Sequence, residues 1–505
     1  MSLLGVGTLS SSLREKVRSG LLWSAIQSWC VRFSSLLLLT VVARVLSPEQ
    51  LGLFAAAMVV LTFFSMLSEQ GLSEAVVQRE HISPEQLSAV FWLNLLVSIV
   101  LVVVVWVTAP QIAHLMNIAE LAPILQIASL ALPISAVTFG QMAVRRRTFG
   151  YRWIATTAMV STAVGSIVLL TLLFAGWGVW SLVAQALTSS LVTAALMWMR
   201  PGWKLTRRVD FEGVRPLMVY GGNRLGTYLL DFANTRYVEL FLASTLGPAA
   251  LAVYTVGLKL YQALLQMLGS TVLDVAHSGF SRLANDRPGL IAAYYKSISL
   301  TATVAVPIFC MVAAVAPSLT VVLFGAKWHA SAEVMRWMGL LGAVQVLQFY
   351  NGTVYNAIGR PSIGLKFMVV KVVLTFGALA LARDSGMTGL LHAYVISQLA
   401  TTPMSFYLVR RLIGVSLSEL LRRIWPMLTS SALMVGAAVL SQEFLRAEGL
   451  PTLVVLIGSS LAGAVIYLAS MQLIAPHVLR NTLALVRPRR EPAAIATPTS
   501  DTPTP

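Results

Sequence analysis

The chain is 505 residues long, 57% hydrophobic and only 11% charged, with a formal charge of +16 and a mean hydropathy of +0.78. Soluble domains carry about 25% charged residues, so this composition excludes an ordinary soluble fold and predicts an integral membrane protein. Nor does the charge indicate nucleic acid as a partner, because the cations are divided among short loops on one side of a membrane.

In chain order, residues 1–19 form a cationic arm with Arg14, Lys16 and Arg18. About fourteen apolar segments of membrane-spanning length follow. The first six, at 20–43, 51–72, 87–108, 121–144, 153–175 and 177–199, make an N-lobe over 20–199. No cleavable signal sequence is expected, since the first apolar run is long enough to span and no small-residue cleavage site follows it. Residues 200–216 are a cationic linker. Six further segments, at 217–243, 251–278, 291–316, 332–358, 362–382 and 388–409, make a C-lobe over 217–411. Residues 412–423 read as an amphipathic helix on the cytoplasmic surface: Ser416 and Glu419 have capping-box spacing, and Leu417, Leu420, Leu421 and Ile424 share one face. Two extra segments, at 424–445 and 452–474, fill 424–475, and a Pro/Ala/Thr-rich tail over 476–505 is expected to be disordered and cytoplasmic.

The cations fix the orientation. With the N-terminus inside, about 24 Lys and Arg fall on inside segments and about four (Arg44, Lys327, Arg383, Arg446) on the opposite side. An even number of spans then places both termini in the cytoplasm. The remaining cations lie inside apolar segments: Arg32, Arg224, Arg236, Lys259, Lys296, Arg336, Lys366 and Lys371. Idle charge is costly in hydrocarbon, so function is to be sought there. Cys30 and Cys310 fall within spans and read as small apolar packing residues.

The chain also repeats at an offset of about two hundred residues. Ala43, Leu46, Pro48, Leu51 and Phe54 align with Ala243, Leu246, Pro248, Leu251 and Tyr254, at the turn from first to second span of each half. Two parallel repeats are a transporter pattern, since similar halves can rock about a site between them. Helical spacing then groups the polar residues. Ser24, Ser28, Arg32 and Ser35 form a stripe on the first span, and Arg224, Tyr228 and Asp231 a corresponding one on the seventh. Lys259, Gln262, Gln266, Ser270, Asp274 and His277 run down the eighth; the second offers Thr62, Glu69, Gln70 and Glu74. The expected site is a net-cationic cavity at mid-membrane that receives an anion. Its binding candidates are Arg32, Arg224, Tyr228, Lys259 and Lys371, and its coupling or charge-pair candidates Asp231, Glu69 and Asp274. Arg236 and Glu239 sit further out at pairing distance and read as a structural pair. No catalytic residues, metal site or cofactor are expected: there is no phosphate-binding loop, no HExxH and no CxxC pair.

Several runs together resemble one family. The first span running into 43–54, the stretch 71–79 ending in Gln78 and Arg79, the stretch 83–94 from Ser83 and Pro84 to Trp92 and Asn94, and Phe280 to Leu283 resemble the polysaccharide transporter branch of the MOP superfamily. These are the Wzx-like flippases of lipid-linked oligosaccharides, and the nearest group handles exopolysaccharide or colanic-acid-like units. The resemblance covers about 20–474. It implies a V-shaped pair of six-helix bundles, alternating access, and an undecaprenyl-diphosphate-linked repeat unit as cargo, with Arg32 and Arg224 in the cavity. The bacterial inner membrane is the expected location, with polymerase and export proteins as expected neighbours; Asp231, alternately pairing with arginine and taking up a proton, would couple transport to a proton or sodium gradient. The rivals are a drug or metabolite antiporter of the same superfamily, which would need an acidic cavity, and a membrane polymerase or ligase, which would need a large periplasmic loop.

Overall fold

The computed structural model describes residues 11–69, 76, 79, 82–206, 208–210, 212–478 and 480. Among them the chain forms α-helices, short 3-10 turns and no strand. A helix satisfies its backbone polar groups internally, which lipid requires. The first lobe contains α1 (Ser11–Val45), α2 (Pro48–Glu69), α3 (Pro84–Leu115), α4 (Leu121–Ala128), α5 (Ala131–Arg147), α6 (Tyr151–Phe174) and α7 (Trp180–Met199). The second contains α8 (Arg215–Arg282), α9 (Arg287–Phe324), α10 (Ser331–Gln345), α11 (Phe349–Ala357), α12 (Pro361–Leu381) and α13 (Gly386–Ile413). A final pair, α14 (Leu417–Ala447) and α15 (Thr452–Ile474), follows.

One four-residue motif starts two of these helices. At α2, the Gln50 N–H donates to Ser47 Oγ and the Ser47 N–H to Gln50 Oε1, both at 3.3 Å. At α3, Gln86 and Ser83 repeat the exchange at 3.2 and 3.3 Å. Each is a reciprocal capping box, with a proline in the first turn whose missing N–H costs nothing there. The matching turn of the second half has neither the serine nor the glutamine. It breaks instead at Gly247 (φ 81°, ψ −178°), a conformation open essentially to glycine alone. Helical hydrogen bonding resumes on both sides, so α8 is one element with a break in it.

Eleven helices are long and apolar enough to cross a membrane, among the described residues. The expected segments 217–243 and 251–278 share α8; 332–358 is split by the 3-10 turn Val346–Gln348; and α13 is made more polar by His392, Gln398, Thr401 and Thr402. The segment 412–423 is not a separate helix. Gly414 ends α13 in the left-handed conformation, and α14 runs unbroken from Leu417 to Ala447. Ser416 accepts the Glu419 N–H at 3.4 Å, but the Glu419 carboxylate turns to Arg423 (2.7 Å) rather than back to the cap. Pro426 removes one hydrogen bond early in α14 without ending it. At the other terminus, α1 is already helical from Ser11, inside the stretch read as an arm.

Packing of apolar side chains divides the same way. One cluster holds the first lobe (Leu53, Phe64, Val105, Leu125), taking in Ala243 and Leu251 of α8, and another holds the second (Tyr294, Phe309, Tyr350, Leu379). The second extends through Met427 and Met471, which seats the final pair on the C-lobe. Tyr467 donates to Thr303 O (2.7 Å) and Arg446 to Ser318 Oγ (2.9 Å), tying α15 and α14 to α9. In lipid such packing and hydrogen bonds replace the hydrophobic drive. A third cluster bridges the lobes: Val42, Leu46 and Leu51 with Ala252, Phe324 and Trp328.

The linker is ordered where described. Trp203 is buried beside Gly140, Phe91 and Trp198, and Gln141 holds Gly202 N (2.8 Å) and Trp203 O (3.1 Å). Asp210 accepts from Gly213 N (2.8 Å) and Gln86 Nε2 (3.2 Å), while Arg79 reaches Gly213 O (3.1 Å). The Gly213 amide first, then Gln86, holds the Asp210 carboxyl below the usual carboxylate range.

Candidate functional site

The break at Gly247 builds the site. In an unbroken helix Arg236 and Lys259 would lie about 35 Å apart. Both instead line one cavity, so the chain reverses at Gly247 and brings them to similar depth. The cavity, of about 490 Å³, lies between the lobes: α1, α2, α6 and α7 form one wall and the two halves of α8 the other. Among the described residues its first-lobe wall is neutral, with Ser35, Thr62, Thr162, Gln185 and Ser189 as its polar groups. Among the described residues the α8 wall carries Arg236, Glu239 and Lys259, a net charge of +1.

Arg236 Nη1 meets both carboxylate oxygens of Glu239 at 2.9 Å. Glu239 is 4% exposed, whereas the Arg236 side chain is 37% exposed. The pair is thus asymmetric: the carboxylate is sunk in the wall and the guanidinium faces the cavity. Lys259 is half-buried, with no ion pair among the described residues.

Arg32 lines an adjoining recess of about 320 Å³ inside the first lobe. Val31 and Thr162 belong to both walls, so the two spaces are neighbours. Around Arg32 stand Gln27, Ser28, Thr157, Ser161 and Thr193. Thr157 Oγ1 is buried without a hydrogen-bond partner, an acceptor and donor left for something else. A guanidinium amid hydroxyls can hold a phosphate and the hydroxyls of a sugar.

At its cation-poor end the cavity is sealed. Trp328, fully buried, donates its indole N–H to Ala43 O (2.7 Å). Lys327 Nζ reaches Leu46 O (2.7 Å) and Arg44 O (3.1 Å); Arg44 in turn donates to Val322 O (2.6 Å). Partial burial lowers the Lys327 pKa from its ordinary value. These bonds join the first turn of one lobe to the turn after α9 of the other.

The structure therefore brings Lys259 to the cavity and Arg32 to its annex. Lys371 lies on α12 and is not part of that wall; its carbonyl accepts from Thr375. Arg224, Tyr228 and Asp231 fall on α8, but their side chains, with those of Glu69 and Asp274, lie outside the described residues. Arg236 and Glu239 pair as the spacing predicts, yet they also form part of the cavity wall. The distance of each half of α8 from Gly247 was the signal for that.

Comparison with known proteins agrees with this architecture. The chain is 24% identical over 424 residues to the lipopolysaccharide biosynthesis protein WzxC of Escherichia coli K12, covering 82% of this chain and 85% of that protein. It is 24% identical over 459 residues to the succinoglycan biosynthesis transport protein ExoT of Rhizobium meliloti, covering 90% and 92%. Its fold matches the lipid II flippase MurJ in an inward closed conformation, with a TM-score of 0.71 at 13% identity over 92% of this chain and all of that one. It also matches an inward-facing multidrug resistance MATE family transporter of the MOP superfamily, with a TM-score of 0.60 at 17% identity over 77% and 98%. The polysaccharide biosynthesis protein family matches residues 41–333, more than half of the chain, and the protein belongs to that family.

Proposed function

We propose that the protein is a flippase that turns an undecaprenyl-diphosphate-linked oligosaccharide from the cytoplasmic to the periplasmic leaflet of a bacterial inner membrane, for exopolysaccharide, capsule or O-antigen synthesis. The observation that carries this is a net-cationic interlobe cavity with a hydroxyl-rich annex, sealed at the cation-poor end. Lys259, the exposed face of Arg236, and Arg32 hold the diphosphate, and the hydroxyls around Arg32 take the sugar. Low dielectric strengthens that attraction and disfavours neutral cargo. Transport follows by rocking of the lobes: the seal at Ala43 and Trp328 opens as the opposite end closes. The cation distribution supports a cytoplasmic position for both termini, and the product is passed to polymerase and export proteins. Coupling to a proton or sodium gradient is assigned to Asp231; an Asp231→Asn variant with unchanged gradient dependence would remove that assignment.

The similarity to a MATE transporter raises an antiporter as the second reading. A cavity for cationic drugs needs acidic walls, and here the one acidic group among the described lining residues, Glu239, is paired with Arg236. The test is a deletion strain in which lipid-linked units and surface polymer are followed together. Loss of polymer with intact units held on the cytoplasmic leaflet is expected, reproduced by Arg32→Ala, Arg224→Ala and Lys259→Ala. Full export by all three variants at native expression would overturn the cationic cavity. Units reaching the periplasmic leaflet unpolymerised would indicate a polymerase instead.

A further inference from the structure

A second recess, of about 930 Å³, lies at the cation-rich end of the C-lobe, between the early turns of α9, the first turns of α14 and the end of α15. It shares no residue with the interlobe cavity. Its wall holds four basic groups, Lys296, Arg422, Arg423 and His477, and one acidic group, Glu419. Glu419 is bonded to Arg423 at 2.7 Å, and that guanidinium also lies 4.8 Å over the Tyr295 ring. Lys296, Arg422 and His477 are exposed and have no acidic partner among the described residues. Beneath them the wall is apolar, with Leu300, Pro426 and Ile474, and Trp425 stands exposed at the edge.

We propose that this recess binds the phosphate of an anionic phospholipid of the cytoplasmic leaflet, with Lys296 and Arg422 as its cationic contacts. A soluble anion would need only the charges. A phospholipid also uses the apolar wall for its acyl chain and the indole at the headgroup level. Basic recesses between spanning helices on the cytoplasmic side have the right chemistry for such headgroups. The bound lipid bridges α9 to α14 and so fixes the final helix pair on the C-lobe.

The test is native mass spectrometry of the full-length protein in detergent with added phosphatidylglycerol or phosphatidylcholine. The wild type is expected to retain phosphatidylglycerol and not phosphatidylcholine. Retention should fall about tenfold or more in K296Q/R422Q, persist in K296R/R422K, and be unchanged in R410Q/R411Q, which removes two exposed cations elsewhere at the same end. If the double variant does not fold, K296Q and R422Q are read singly, each with a several-fold loss. Equal retention in the folded Gln variants would overturn the proposal. Displacement by millimolar inorganic phosphate would show a free-anion site. Displacement by equimolar undecaprenyl phosphate would assign the recess to the transported lipid. Either result would also overturn it.

Discussion

The carbonyl oxygen of Pro248 occupies the place that a side chain on Gly52 would need. Pro48 and Pro248 correspond across the two-hundred-residue repeat, and Gly52 lies one turn beyond Pro48. The two matching turns therefore meet, with no Cβ between them. Gly52→Ala has to push backbone against backbone and is expected to cost about 1–3 kcal/mol, and Gly52→Val more. Thermal melting in detergent should show the loss. Gly377→Ala on α12 is the control: nothing lies within 4 Å of its added methyl group, so it should be neutral or stabilising by up to about 1 kcal/mol. Equal melting of Gly52→Ala and wild type would mean the lobes do not touch there.

In the proposed rocking of the lobes, the seal at Trp328 holds one transport state. Trp328→Phe keeps an aromatic ring, though a smaller one, and leaves Ala43 O buried and unpaired, at a cost of about 1–3 kcal/mol for the lost hydrogen bond. That cost falls on the sealed state alone, so the open population should rise at least about fivefold. Thr62→Cys, placed on the cavity wall after Cys30 and Cys310 are replaced by Ser, reports it through labelling by an impermeant maleimide from outside. Unchanged labelling would mean that the seal does not govern access.

Removing Arg236 alone strands a buried carboxylate. Arg236→Gln should lower stability by about 3–5 kcal/mol, read as lost yield and melting temperature. Arg236→Gln with Glu239→Gln should recover most of the stability while still transporting poorly. Lys259→Gln, which strands nothing, should melt like the wild type and lose export. If the double variant transported normally, Arg236 would be a structural residue only.

The Asp210 clasp gives a pH dependence of known sign. Its carboxyl is held below the ordinary value of 3.8, so the clasp contributes fully above that value and is lost as pH falls through the lowered one. Amide exchange around Gly213 should be flat, after correction for intrinsic rates, between about pH 5 and 8 and rise only below about 4. Asp210→Asn should raise it throughout.

Much of this was legible because lipid simplifies the problem. A run of apolar residues long enough to span has to be helical, so the span positions follow from hydropathy, whereas the capping boxes at Ser47 and Ser83 became visible only in the structure. The site was only half legible. Lys259 and Arg32 announce themselves as charges inside apolar spans. Lys371 meets the same criterion yet lies away from the cavity, because a charge in a span says nothing about which neighbour that helix face meets. Residues 417–423 carry a surface-helix pattern but continue into α14, since Pro426 weakens a helix without having to end it.

Sequence by itself determined that this chain is a helical membrane protein built from two related halves, with one cation-rich end. Those properties are additive over the chain: hydropathy, charge and offset are counted residue by residue. Tertiary structure decided what faces what. Where α8 reverses at Gly247 sets the depth at which Arg236, Glu239 and Lys259 meet, and the contact of Trp328 with Ala43, 285 positions away, closes one end of the cavity. Such relationships depend on how helices rotate and cross, and that is settled by close packing at residues such as Gly52 rather than by any local pattern.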